Sequence, residues 1–232
     1  MTKRSDALQH FISSLQLAVL EGDLPDAAKP AATRIFDALA AEEGKQEPPT
    51  AKRLPVCDHL PTTFENAKAG PDRTIRLGAA LSAIEPQLAW FQKPAGDEHF
   101  RANHANTVVI GVDGIERRND VRIGVSLVAP DTVYPDHNHP PEEIYAVLSD
   151  GAWRQNKGAW RKPGLGGTVH NVPNILHGMR SYDTPLLAVW SLWVGGCTAV
   201  WGNKKSLDDI ETNCCDIINV LVEGKHSKAT YV

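Results

Sequence analysis

The sequence predicts a mainly β protein: a small β-barrel or sandwich preceded by a helical N-terminal extension. Three observations carry that prediction. Apolar residues recur at three- and four-residue steps in the first third of the chain, and the period shortens to two from about residue 105. Asp-Gly pairs at 113–114 and 150–151 end apolar runs as tight turns do. Sixteen Pro and 18 Gly supply many further turns. The 232 residues, 42 % apolar and 22 % charged, suffice for one core domain plus an extension. Twenty-four Lys and Arg against 28 Asp and Glu give a net charge of −4, which disfavours a nucleic-acid partner. The longest apolar runs, such as 186–194, fall short of the ~20 residues a membrane span needs. Gln9, His10, Ser13 and Ser14 interrupt any apolar signal region after Lys3 and Arg4, so a cytoplasmic location is expected.

The first helix is expected along the stripe Leu8, Phe11, Ile12, Leu15 and Val19, with Ser5 as its N-cap. A second follows Ala28, Ala32, Ile35, Phe36 and Leu39, with Pro30 acceptable in the first turn. Residues 45–55 are polar and proline-rich, as in a linker or surface loop. A third helical segment is expected near 79–91, kinked or interrupted by Pro86. Strands follow at 108–111 and then at 121–127, where Val121, Ile123, Val125 and Leu127 alternate with Arg122, Gly124 and Ser126 in a half-buried pattern. Further strands are expected at 143–149, 168–172 and 186–194, with a hairpin between Trp153 and Trp160 around Asn156-Lys157-Gly158. The composition shifts after Trp201. The chain thus divides into a helical extension (1–104), a β-barrel core (105–201) and a C-terminal extension (202–232), for which the sequence leaves a helix, an added strand and a disordered end of eight residues open. Cys57, Cys197, Cys214 and Cys215 lack metal-knuckle or redox spacing and read as reduced thiols.

Chemistry concentrates in 134–145. His137 and His139 are two apart, so in an extended chain their imidazoles share a face. Pro140-Pro141 turns the chain, and Glu143 opens the next strand. Two nitrogens and one carboxylate oxygen can then meet at one point, a set suited to Zn, Fe, Mn or Ni. A fourth ligand is expected from a separate strand, and His177 is the best candidate. Asn174, three residues before it, tolerates a left-handed turn that would direct His177 back across the sheet.

These two segments resemble the paired motifs of the cupin superfamily, a double-stranded β-helix. His137, His139 and Glu143 match the first motif, with Asp131 at its leading glycine and Asp150, followed by Gly151, at its last. Gly166 and His177 match the second, whereas Val172, Asn174 and Ser181 replace its proline, glycine and asparagine. The departures affect turns, not ligand positions. The resemblance implies one divalent transition-metal ion per chain. It also leaves room for a homodimer, since such barrels often pair through sheet edges or terminal extensions.

Tyr145 lies two residues after Glu143, so its phenol is expected on the metal-facing side. It either packs in the barrel or serves as a base, because a nearby cation favours the phenolate. His-x-His-x-x-x-Glu-x-Tyr followed by a distant His, behind a helical extension, is similar to the cupin-type dimethylsulfoniopropionate (DMSP) lyases, most of all the bacterial L-type enzymes. That resemblance implies cleavage of a zwitterionic sulfonium to dimethyl sulfide and acrylate, with metal on His137, His139, Glu143 and His177 and Tyr145 as base. Among the aromatic residues, Tyr134 and Trp193 are favoured as sulfonium contacts. Another metal-dependent cupin enzyme, a sugar isomerase or an oxygenase, is the main alternative; a non-catalytic sensor is the other.

Overall fold

Ser5 accepts a hydrogen bond from the Leu8 N–H and starts α1 (Asp6–Leu20). The expected stripe of Leu8, Phe11, Ile12, Leu15 and Val19 is its buried face. Pro30 sits in the first turn of α2 (Lys29–Ala41), which buries Ala32, Ile35, Phe36 and Leu39. The computed structural model describes residues 3–94 and 96–195. The expected C-terminal extension, and Cys197 before it, lie outside the described residues, as do Cys214 and Cys215.

Two expectations for the following stretch need correction. Lys45–Gln46 forms a short strand, β1, rather than loop. The third helical segment is α4 (Asp72–Ile84), which begins earlier than 79 and ends before Pro86, and a further helix, α3 (Leu60–Ala67), precedes it unanticipated. Pro86 lies in a 3-10 turn at Glu85–Gln87, after which Leu88 is extended. A proline at this point cannot continue the α-helical hydrogen-bond pattern, so it marks the end of α4 rather than a kink within it.

A short helix, α5 (Glu98–Ala102), precedes the strands β2 (His104–Ile110), β3 (Glu116–Arg117), β4 (Val121–Val128), β5 (Val133–His137), β6 (Glu143–Ser149), β7 (Ala152–Gln155), β8 (Thr168–Asn171), β9 (His177–Arg180) and β10 (Leu186–Trp193). They form a seven-stranded sheet in the order β1-β3-β2-β4-β10-β6-β8 and a three-stranded sheet in the order β5-β9-β7. From β4 to β10 consecutive strands thus alternate between sheets, as in the cupin double-stranded β-helix.

The large sheet is buried on both faces, which corrects the half-buried reading of β4. Val121, Ile123, Val125 and Leu127 join Ile144, Ala146, Leu148, Leu187 and Val189 in a core shared with α1, α2 and α4. The opposite face carries Val128, Tyr145, Val147, Ala188, Trp190 and Leu192, which pack with Tyr134, Trp153 and Met179 of the small sheet. Arg122, Gly124 and Ser126 share that inner face, because alternate residues of a strand point the same way. They are small or polar for reasons other than solvent exposure. At Gly124 a side chain would begin 2.2 Å from the Trp190 ring, so glycine there gives the indole room over β4.

Candidate active site

The inner face of the large sheet is organised by strand register. Tyr145 on β6 lies opposite Trp190 on β10, which lies opposite Gly124 on β4. One step along, Glu143 pairs with Leu192, and Leu192 with Arg122. From the small sheet, His137 on β5 and His177 on β9 are direct partners. A register shift between Tyr134 and His137 accommodates Pro135 and re-aims the end of β5. His139 follows on the bend toward β6. Asn174 adopts the left-handed conformation, φ 60°, and its N–H donates to the His139 carbonyl at 2.9 Å. The turn before His177 is thereby tied to the segment carrying His139.

These connections bring His137, His139 and His177 together, with one ligand nitrogen of each within 4.8 Å of the others. Each Nδ1 lies near a backbone carbonyl: Pro135 at 3.0 Å, Pro141 at 2.9 Å and Ile175 at 2.9 Å. Donation of Nδ1–H to those carbonyls leaves all three Nε2 lone pairs for a ligand. Glu143 Oε2 is 3.4 Å from His139 Nε2 and 3.3 Å from His177 Nε2. Despite that approach His177 Nε2 is buried without a hydrogen-bonding partner among the described residues. A buried, unpartnered acceptor aimed at two other imidazoles and a carboxylate is what a cation site requires, and this donor set fits a divalent transition metal.

Burial opposes ionisation of Glu143, but the neighbouring His139 and His177 outweigh it and hold the carboxyl well below the usual range. Burial likewise disfavours a charged His139, yet the Glu143 carboxylate raises it above the ordinary imidazole value. His137 is pushed well below that value by burial, with Lys93 adding to the effect. Asn171 on β8 donates to Glu143 Oε2 at 2.9 Å, and Gln155 donates to Asn171 Oδ1 at 2.9 Å. This polar chain fixes the carboxylate from behind.

A cavity of about 40 Å³ opens beside the histidines. Tyr145 lines it, as the period-two argument expects, and so does Tyr134, whose ring lies 5.0 Å from that of His137. Without a cation, burial pushes the Tyr145 phenol well above its ordinary value, and Glu143 adds to that shift. Trp193 is elsewhere, a correction with a simple cause. Alternation on β10 turns it toward the helices, where Arg34 lies 5.5 Å from its ring. Trp190, one residue earlier, faces inward and lines the cavity.

Lys93, Asn106, Arg122 and Ser126 also line the cavity, and sequence reasoning missed them. Arg122 and Ser126 did carry a signal, as polar residues alternating with large apolar ones. Asn106 and Lys93 become neighbours of the histidines only through barrel closure.

Residues 27–188 match the model of the dimethylsulfoniopropionate lyase family. A Cereibacter sphaeroides protein named as a candidate dimethylsulfoniopropionate lyase, DddL, is 27 % identical over 150 residues, covering 64 % of this chain. The matched stretch spans 62 % of that relative, less than two thirds of its length. Two solved structures share the fold. The DMSP lyase DddQ from Ruegeria pomeroyi is 23 % identical with a TM-score of 0.61, over 82 % of this chain and 92 % of that one. A chain from the crystal structures of the DMSP lyases RdDddP and RnDddQII also gives 23 % and 0.61, over 81 % and 92 %. With a family match running through most of the helices and nearly all of the barrel, the chain belongs to the dimethylsulfoniopropionate lyase family.

Proposed function

We propose that this protein cleaves dimethylsulfoniopropionate to dimethyl sulfide and acrylate by base-catalysed β-elimination. The observation that carries the reading is the convergence of His137, His139 and His177 on one point, beside a cavity lined by Tyr145. Those three imidazoles, with Glu143, would hold a divalent cation. Such a cation supplies positive charge that favours the tyrosine phenolate and stabilises the negative charge developing next to the substrate carboxylate.

Tyr145 takes the base role. Its phenolate removes the proton from the carbon next to the carboxylate. The electron pair of that C–H bond becomes the new C=C bond, and the carbon–sulfur bond breaks toward sulfur. Dimethyl sulfide leaves as a neutral molecule, so no general acid is needed, and the proton stays on Tyr145 until solvent removes it. Burial of Tyr145 keeps the phenol out of bulk water, so its ionisation follows local charge.

Tyr134 and Trp190 supply the electron-rich faces for the sulfonium. Both rings line the cavity, and an aromatic face attracts a cation such as a sulfonium. Headspace gas chromatography of the purified protein with dimethylsulfoniopropionate tests the reaction: dimethyl sulfide and acrylate in equal amounts are expected. Folded, metal-loaded protein that releases neither would exclude this function.

A further inference from the structure

Asn106 is a buried amide without a complete set of partners, and it faces the cavity beside the three histidines. Its residue is 3 % exposed, and it sits on β2 directly opposite Ser126 of β4. Its backbone is fully paired: the N–H donates to the Phe91 carbonyl and the carbonyl accepts from the Phe91 N–H, each at 2.8 Å. Its side-chain oxygen accepts from the Ser126 hydroxyl at 2.7 Å. In this arrangement the amide oxygen is taken and Nδ2 is the free end. Nδ2 is buried with no hydrogen-bonding partner among the described residues, although buried polar groups are nearly always paired.

The surroundings of that amide say what it awaits. Lys93 and Arg122 line the same cavity and face the aromatic rings of Tyr134 and Trp190, with no carboxylate partner among the described residues. An N–H donor and two cations suit an anion with acceptor oxygens, and the sulfonium end of a zwitterion offers neither. We propose that Asn106 is a substrate-binding residue: its amide donates to the carboxylate of the substrate, and Ser126 positions it by holding the amide oxygen. The inference rests on the lyase reading, which supplies a substrate bearing a carboxylate. A carboxylate has two acceptor oxygens, enough for the Asn106 amide on one side and the cation centre on the other.

The test compares wild-type protein with Asn106→Leu, which removes the donor at similar volume. The KM for dimethylsulfoniopropionate is expected to rise at least tenfold, with kcat changed less than threefold. The inhibition constant of acrylate should rise by a similar factor, whereas that of trimethylsulfonium, which has no carboxylate, should stay within twofold. A merely structural role would instead weaken both inhibitors together. In wild-type protein, acrylate should shift the Asn106 side-chain amide resonances in ¹⁵N NMR spectra, a readout that holds even if the variant fails to fold. Wild-type turnover with unshifted amide resonances, or with unchanged KM and acrylate inhibition in the variant, overturns the role of Asn106 and leaves the lyase reading standing. Wild-type protein that releases no dimethyl sulfide overturns both.

Discussion

Each clustered histidine is steered by a carbonyl two residues away in sequence: Pro135 for His137, Pro141 for His139 and Ile175 for His177. The imidazoles are thus oriented by local backbone, which is why their spacing was legible in the sequence. Tyr145 was legible for a similar reason, since one strand carries it and Glu143 on the same face. Asn106 and Lys93 were not, because their places depend on which strands close the barrel. Tyr145→Phe is expected to retain the cation and the fold while lowering turnover by about 10²–10⁴-fold, the usual range for a general base. Metal analysis and initial rates on the same sample check this, and near-normal turnover would remove Tyr145 from that role. His104 gives a separate stability prediction. It is buried, stacks on Phe100 at 3.7 Å and accepts from the Lys93 N–H, and burial lowers its pKa to about 4. The unfolded chain binds a proton below about pH 6.5 that folded His104 refuses. Its contribution is therefore intact above that pH and is lost as pH falls toward 4. Urea unfolding at pH 7 and pH 5 should differ by about 2 kcal/mol more in wild-type protein than in His104→Gln.

The elements show where periodicity was informative and where it misled. α1 and α2 follow their apolar stripes because one face packs on the sheet and the other meets solvent. β4 gave a clean alternation that suggests a solvated face, yet its polar residues line an internal cavity. Alternation reports two different environments and does not say which one is water. Trp193 and Trp190 exchange places for the same reason: parity separated them, but only the packing of α2 decides which face is inside. Short strands such as β5, β7 and β9 lack enough residues to display a period, although β9 carries His177. The turn before β9 depends on Asn174 in the left-handed region. Asn174→Ala should cost about 1–2 kcal/mol and weaken cation binding, because the turn ties His177 to His139. Asn174→Gly should preserve both properties. Thermal melts with and without added metal distinguish these outcomes; equal cation affinity in the alanine variant would show that the turn does not set the site.

At the scale of the whole molecule, the helices cover the outer face of the large sheet while the small sheet closes the inner face over the site. One buried ion pair ties the start of the chain to that sheet. Arg4 Nε and Nη2 donate to Glu116 at 2.6 and 2.8 Å, and Glu116 also accepts from Gly44 N–H and the Gln46 amide. Without Arg4 the buried carboxylate keeps the more distant Arg118, 3.7 Å away, as a cationic partner, so Arg4→Met should lose about 3 kcal/mol. A second change, Glu116→Leu, should restore most of it, and a double-mutant cycle by urea unfolding measures both steps. Full stability in Arg4→Met would mean that the pair does not hold the helical layer in place. The proposed reaction depends on the cluster of three histidines and Glu143 that this architecture assembles. The most direct measurement is dimethyl sulfide release by chelator-stripped protein reloaded stepwise with a divalent transition metal, with bound metal determined on each sample. Activity should be lost on stripping and return in proportion to occupancy, reaching its maximum at about one ion per chain. Full release by metal-free protein, or none at full occupancy, would contradict the account.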